Sequence, residues 1–409
     1  MLPPASKEPV VQSTQADPRS LYGAYATGLF SMGQAELLTL VVPLWALLLG
    51  ASPTQIGTLV GARSLLTFFL AIHGGALMDR LGTRRVLMFF AAATGVVAAS
   101  YPFLPWFPAM IVMQMLVGLA GNMTWIGAQT MIGEVTRGDP GQIGWFSFFA
   151  RMGNVVTPLL IGLIWDIAGP TFSFLGIALW SCTLLLVTSQ IPDVRVIDRS
   201  GRFSWREILP RLSDYTGSLR LIVLPAIAVT LAVSFIRHAT NGVEASFFIV
   251  YLRELGFAAA AIGALFSIAE VVNGMSSLLA GRVARLMPIP WLMVGFTTLS
   301  AALLLITPFL GGVFILLALA QAVRRGCEGV VQPLMFSMQA RAVARDRQGS
   351  VVGLRVTNNR LSSIITPMAM GVVVEYFGIE NGFVIVGAVL LFACVALATV
   401  VARTPELRQ

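Results

Sequence analysis

The chain has 409 residues, of which 56% are hydrophobic and only 11% charged, against about 25% charged in soluble domains, so a water-soluble globular fold is excluded. The net charge of +8 would suit a nucleic-acid partner, but the placement of the basic residues excludes that reading. Nineteen of the 27 Lys and Arg belong to the tails and to the breaks after every second apolar segment, Arg253 alone sits in an opposite break, and seven lie inside apolar segments. This is the positive-inside pattern of a membrane protein with both termini in the cytoplasm.

In chain order, residues 1–20 (MLPPASKEPVVQSTQADPRS) lack the apolar stretch of a secretory signal and read as a disordered cytoplasmic tail. Six apolar segments follow, at about 21–49, 54–78, 86–104, 107–134, 141–168 and 171–190, and form an N-terminal half, 21–190. The polar stretch 191–219 reads as a cytoplasmic linker, within which Trp205 to Leu212 fits a short amphipathic helix on the membrane surface. Six further segments, at about 220–252, 258–284, 290–308, 312–340, 349–376 and 382–402, form a C-terminal half, 220–402, and 403–409 a second cytoplasmic tail. Most segments have the length a helix needs to cross a bilayer, about 20 residues. The expected fold is an all-α integral membrane protein of twelve transmembrane helices in two pseudosymmetric six-helix halves. Cys182, Cys327 and Cys394 all fall inside segments, so no disulfide framework is expected.

The halves repeat one another. At a shift of 209 positions Gly144, Arg151, Thr157, Pro158 and Gly162 match Gly353, Arg360, Thr366, Pro367 and Gly371, and the register continues to Asp166/Glu375 and Gly169/Gly378. At a shift of 206, Gly50, Ile56, Gly57 and Gly75 match Gly256, Ile262, Gly263 and Gly281. Duplicated halves with a polar site between them are a recurrent transporter plan, and two arginines at equivalent mid-segment positions suggest such a site.

Residues 74–87, GGALMDRLGTRRVL, carry Gly75, Asp79, Arg80, Gly82, Arg84 and Arg85 at the spacing of a signature between the second and third helices. The chain thereby resembles the major facilitator superfamily. The resemblance implies that superfamily's twelve-helix fold and alternating access, with this element steadying the outward-facing state and releasing during rocking. The counterpart GRVARLMP at 281–288 lacks the acidic residue. In the fifth segment Gly144, Gly153, Pro158 and Gly162 resemble an element of proton-coupled antiporters, although Thr157 and Ile161 stand where that element has glycines. Gln114 stands before Gly118 where many of those antiporters have an arginine, which weakens a drug–proton antiport reading. The resemblance makes Gly153, Pro158 and Gly162, with the 74–87 residues, candidates for the conformational gate.

Charges inside the segments carry the functional signal. Arg63, Arg151, Arg237, Arg324, Arg325, Arg355 and Arg360 are accompanied by Glu36, Glu244, Glu270 and Glu328. Each would cost several kcal/mol facing lipid, so they are expected to face a watery cavity or one another. Glu36 and Arg63 lie at similar depth, about 21–23 Å from their cytoplasmic ends at 1.5 Å per residue, and are placed to pair. Arg324 and Glu328, spaced i, i+4, share a helix face. Ion pairs locking helices together explain any one of these residues but not the set, because seven cations against four anions leave a surplus of three. Guanidinium is a planar fork for carboxylate or phosphate and stays charged, so the surplus points to an anionic or zwitterionic substrate between the halves. The substrate-binding candidates are Arg63, Trp125, Arg151, Asn154, Arg237, Asn241, Arg324, Arg355 and Arg360, with Arg151 and Arg360 foremost. Gln129, Asn273, Asn358 and Asn359 are further polar residues at helical depth, each equally explained by an interhelical hydrogen bond.

Coupling to protons needs a titratable group, and a carboxyl in a low-dielectric site can titrate near neutrality. Glu36 and Glu270 are the first candidates by depth, followed by Glu244 and Glu328. His73 reads as packing beside a glycine-rich contact, and His238 as facing elsewhere on its helix than Arg237.

No phosphate-cradling loop, metal spacing or cofactor motif is present, so the chain is expected to be no enzyme and to need no cofactor or metal. The expected function is secondary transport, namely proton-coupled export of an organic anion or amphipathic metabolite by a monomer in a bacterial inner membrane. Multidrug efflux antiport and uptake of a small organic anion are the alternatives within transport, and a membrane sensor or receptor the alternative outside it.

Overall fold

The computed structural model describes residues 17–136, 139–192, 220–343 and 348–407. Residues 193–219 of the expected linker, including the Trp205 to Leu212 helix, and nearly all of the N-terminal tail lie outside the described residues. Among the described residues twelve long helices and no strands are found: α1 Pro18–Leu48, α2 Pro53–Leu81, α3 Thr83–Ser100, α4 Phe107–Thr136, α5 Pro140–Ala168, α6 Pro170–Ser189, α7 Pro225–Glu254, α8 Ala259–Val283, α9 Ile289–Leu305, α10 Phe314–Ala342, α11 Gln348–Phe377 and α12 Ile379–Arg403. Seven of the twelve have proline at the first or second position, where a missing N–H costs nothing and φ is preset for the helix. The same preference starts α1 at Pro18, inside the stretch read from sequence as tail.

Gly169 and Gly378 show why the repeat register matters locally. Each is a one-residue joint between consecutive helices, with φ of 85° and 80° respectively, a conformation only glycine adopts without strain. α7 contains something the sequence did not announce. Its hydrogen-bond ladder widens to a π-turn at Glu244–Phe248, and Glu244 opens that turn.

Within the N-terminal half α1 packs on α4, α5 and α6, α2 on α4, and α3 on α4 and α6; in the C-terminal half α7 packs on α11, α8 and α9 on α10, and α9 on α12. The halves meet chiefly through two helix pairs, α2 with α11 and α5 with α8, which exchange under the duplication. At both crossings a glycine lies against a proline carbonyl. A Cβ on Gly57 would fall 2.2 Å from the Pro367 oxygen and one on Gly263 2.1 Å from the Pro158 oxygen, so only glycine fits. Gly162 and Gly371 repeat the arrangement, a Cβ falling 2.4 Å from the Ala259 oxygen and 2.7 Å from the Pro53 oxygen. Gly57, Gly162, Gly263 and Gly371, with Pro158 and Pro367, are thus surfaces on which the halves touch. These contacts gather toward the end bearing the short joints α1–α2, α5–α6, α7–α8 and α11–α12, called the far end below. The opposite end, with the arginine-bearing breaks, is the basic end.

Eight helices are individually long and apolar enough to cross a membrane. The other four are α2, the 17-residue α9, and α10 and α11, the last two carrying Arg324, Arg325, Glu328, Arg355 and Arg360.

Candidate functional site

Two cavities that share wall residues lie between the halves. The smaller, ≈ 380 Å³, is nearer the far end and includes Glu36, Thr39, Arg63, Asn122 and Pro367 in its wall. The larger, ≈ 810 Å³, reaches toward the basic end and includes Gly133, Ile143, Arg151, Arg237 and Glu270. Met32, Glu36, Trp125, Asn154, Asn241 and Arg360 line both. The cavity therefore widens away from the tight glycine–proline crossings.

The charges divide sharply between two environments. In the C-terminal half, three carboxylates and two guanidiniums form one buried cluster. Arg325 reaches Glu270 at 2.7 Å, Glu328 at 3.1 Å and Glu244 at 3.4 Å, and Arg324 reaches Glu244 at 3.1 Å. Gln321 also donates to Glu244. Asn241 lies between Arg325 and Glu328 and, oriented to satisfy its neighbours, donates to the two Glu328 oxygens at 2.6 and 3.1 Å. Asn273 donates to Glu270 at 3.3 Å. Removing one member of such a cluster would leave a buried charge uncompensated.

The other five arginines have no carboxylate within ion-pair distance among the described residues. Arg151 is exposed, lines the larger cavity and makes no hydrogen bond among the described residues. Arg360, its counterpart by duplication, donates at 2.6 Å to Oδ1 of Asn122 on α4 and so bridges the two halves with a neutral acceptor. Arg63 donates to Thr39 Oγ1 at 2.6 Å and to the Ala35 carbonyl at 2.8 Å, not to Glu36 as its depth suggested. One turn of α1 places Thr39 and the carbonyl, rather than the Glu36 carboxylate, under its fork. Arg237 lines the larger cavity with its Nε unpartnered, and the Arg355 guanidinium lies 4.2 Å over the Phe336 ring. Glu36 lines both cavities and makes no hydrogen bond or ion pair among the described residues.

Several sequence expectations change with this geometry. Arg324, 1% exposed and held by Glu244, lines neither cavity, and Glu244 itself is equally buried, so both belong to the packed interior. Arg355 is likewise off the cavity wall, with only its Phe336 platform on it. Arg324 turns to Glu244 rather than to Glu328, which is instead taken by Arg325 at i, i+3. His238 lines the larger cavity beside Arg237, its Nδ1 donating to the Ser234 carbonyl at 2.9 Å. Asn358 and Asn359 serve packing, bonding the Leu231 carbonyl at 3.0 Å and the Ser234 hydroxyl at 2.6 Å on α7. Trp125 and Asn154 stand on both walls; Trp125 stacks on Phe146 at 5.9 Å, and Asn154 keeps a buried oxygen without a partner among the described residues. Asn122, whose Nδ2 is also buried without a partner, was not singled out by sequence.

Of the gate candidates, Gly153 abuts the Leu29 carbonyl and Gly33 on α1, while Pro158 and Gly162 sit at the crossing of α5 with α8. Gly82 has φ of 89° between α2 and α3, Arg84 donates to the Ser189 carbonyl, and Arg85 is exposed. The side chains of His73, Asp79 and Arg80, and the surroundings of Gly75, lie outside what is described.

Twelve helices in two exchanged halves, enclosing a charged cavity at mid-depth, define a membrane-spanning transporter of small molecules rather than an enzyme. The family profile of the Major Facilitator Superfamily matches residues 24–236 and 230–409, and the chain belongs to that superfamily. Solved structures agree on the fold. The nucleoside transporter NupG superposes with a TM-score of 0.77 at 14% identity, covering 94% of this chain and 100% of that chain. A POT family transporter in complex with 5-aminolevulinic acid gives 0.76 at 13% identity, covering 97% and 99%. A bacterial homologue of the human lysosomal transporter Spinster, inward-facing and occupied, gives 0.74 at 11%, covering 95% and 97%.

Proposed function

We propose that this transporter exports an organic anion or anionic amphipathic metabolite by alternating access, driven by protons moving the other way. The supporting observation is the division of charge. Glu244, Glu270 and Glu328 are taken up by Arg324 and Arg325, while Arg151, Arg237 and Arg360 face the cavity with no carboxylate within ion-pair distance among the described residues. A guanidinium in a desolvating cavity gains from a carboxylate or phosphate ligand. Glu36, on both walls and free of ion pairs, is the first proton-coupling residue, with Glu270 and Glu328 at the cavity edge of the cluster next. Positive-inside topology puts the basic end, both tails and the 191–219 linker between the halves 21–190 and 220–402 in the cytoplasm of a bacterial inner membrane. In this reading the chain works as a monomer. Residues Gly75, Asp79, Arg80, Gly82, Arg84 and Arg85 steady the state open to the far side, and Gly153, Pro158 and Gly162 form part of the hinge surface.

The aromatic and thioether wall formed by Met32, Trp125, Phe146 and Phe336 favours a second reading, multidrug efflux of bulky amphipathic compounds. A thermal-shift screen of purified protein against matched organic anions and cations separates them. Stabilisation by anions, followed by their proton-driven flux in proteoliposomes, is the expected result; stabilisation by cations alone would replace the anion reading with the multidrug one.

A further inference from the structure

The duplicated acidic positions Asp166 and Glu375 do not face the cavity. They lie at the far end of α5 and α11, and each crosses to the other half. Asp166 accepts from the backbone N–H of Ala259 at 3.0 Å and of Ala260 at 2.6 Å, the first two residues of α8. Glu375 accepts from the N–H of Thr54 at 3.0 Å and from the Ser52 hydroxyl at 3.1 Å, at the start of α2. The first N–H groups of a helix have no partner in their own helix and carry the positive end of its dipole. A carboxylate from the opposite half fills both needs, and does so twice at equivalent places.

The two contacts differ in one respect. α2 carries its own capping box, Ser52 with Gln55, whereas the residue before α8 is Ala258, which offers no side-chain cap. Asp166 therefore supplies the side-chain cap that α8 does not make for itself, while Glu375 adds to a cap already made. Beneath each carboxylate lies a glycine–proline crossing, which seats the same two helices in register.

We infer that Asp166 and Glu375 are paired inter-half clasps that hold the far end shut and must release whenever the cavity opens to that side. They are positioning residues for transport, setting the balance between the two access states without touching substrate. Asp166 is the stronger of the two.

The test uses the full-length protein in lipid nanodiscs, with Cys182, Cys327 and Cys394 replaced by alanine and spin labels at Phe103 and Phe309. Those positions are 75% and 71% exposed, in far-end turns of opposite halves. No substrate is added, so the result does not depend on the anion reading. Asp166→Asn keeps the side chain's shape and removes its charge. It should raise the ratio of long to short label distances about fivefold, the scale of a carboxylate at a helix N-terminus. Glu375→Gln should raise it less, the double variant more than either, and Asp166→Arg most of all. Asp166→Glu should keep the distribution of the parent protein, since a glutamate performs the equivalent role in the other half. A parental distance distribution in Asp166→Asn and in the double variant would overturn the inference, as would Asp166→Glu opening as far as Asp166→Asn.

Discussion

The two halves share one repeat, yet a buried ion-pair cluster at mid-depth is found in only one of them among the described residues. In the C-terminal half Glu244, Glu270 and Glu328 close around Arg324 and Arg325, and every formal charge of that cluster has a partner within 3.4 Å. In the N-terminal half Arg63 and Arg151 meet only neutral groups or the open cavity, and Glu36 stands alone. Arg237, Arg355 and Arg360 belong to the C-terminal half by sequence but stand outside that cluster, and Arg360 takes its partner, Asn122, from across the interface. Duplication preserved where the helices cross and let the polar groups diverge. The C-terminal half alone acquired a charged scaffold, while arginines without a carboxylate partner remain on both sides of the cavity.

The comparison breaks most visibly at the scaffold. Glu244→Ala should leave Arg324 buried and unpaired, costing about 3–5 kcal/mol. Thermal unfolding in detergent should show this as the largest fall in melting temperature among single charge variants, with much of the protein lost in purification. If Arg324 and Arg325 tolerate that loss as readily as Arg151 tolerates its own substitution, the division into scaffold and wall is wrong.

The wall responds in the other currency. Arg151→Gln and Arg360→Gln should each weaken anion binding by about 1.5–3 kcal/mol, the range for a hydrogen bond to a charged group, with melting temperature little changed. Titration calorimetry with the best anion from the screen reads the first quantity and differential scanning the second. Asn122→Asp sharpens the point. It hands Arg360 an internal carboxylate in place of a neutral oxygen, so binding should fall by at least as much as in Arg360→Gln while the protein becomes no less stable. Undiminished binding in that variant would show that Arg360 is not in contact with the anion.

A smaller effect is expected on coupling. Glu36→Gln fixes the isolated carboxyl in a neutral form, so proton-driven flux should lose its pH dependence while exchange of substrate against substrate continues. Normal pH dependence in proteoliposomes would move the proton site to Glu270 or Glu328.

Much of the fold could be read from the chain because its causes are local. Hydrophobic length set the twelve helices, proline and glycine set their ends, and the Gly169/Gly378 joints fell where the repeat placed them. The reason for the repeated glycines was not local. Gly57 and Gly263 are required by proline carbonyls more than 100 residues away in the other half, a contact that exists only after the halves assemble. The site was legible as a set of charges but not as a set of partners. Arg324 and Arg325 are neighbours in sequence but point about 100° apart around the helix, and nothing in composition says which one reaches the cavity side. Asn122 looks like any polar residue among the small ones of α4, and only Arg360, 238 residues on, gives it a role. The π-turn that begins at Glu244 has no sequence signature of its own.

The central claim is that the carboxylate-free arginines hold a negative charge on the substrate. The most direct measurement compares the affinity of the purified protein for an organic carboxylate and for its neutral primary amide, in the parent chain and in the Arg151→Gln/Arg360→Gln double variant. The account predicts that the parent prefers the carboxylate by at least about tenfold, about 1.4 kcal/mol, and that the double variant binds both alike. Equal affinities in the parent, or a preference that survives in the double variant, would contradict it.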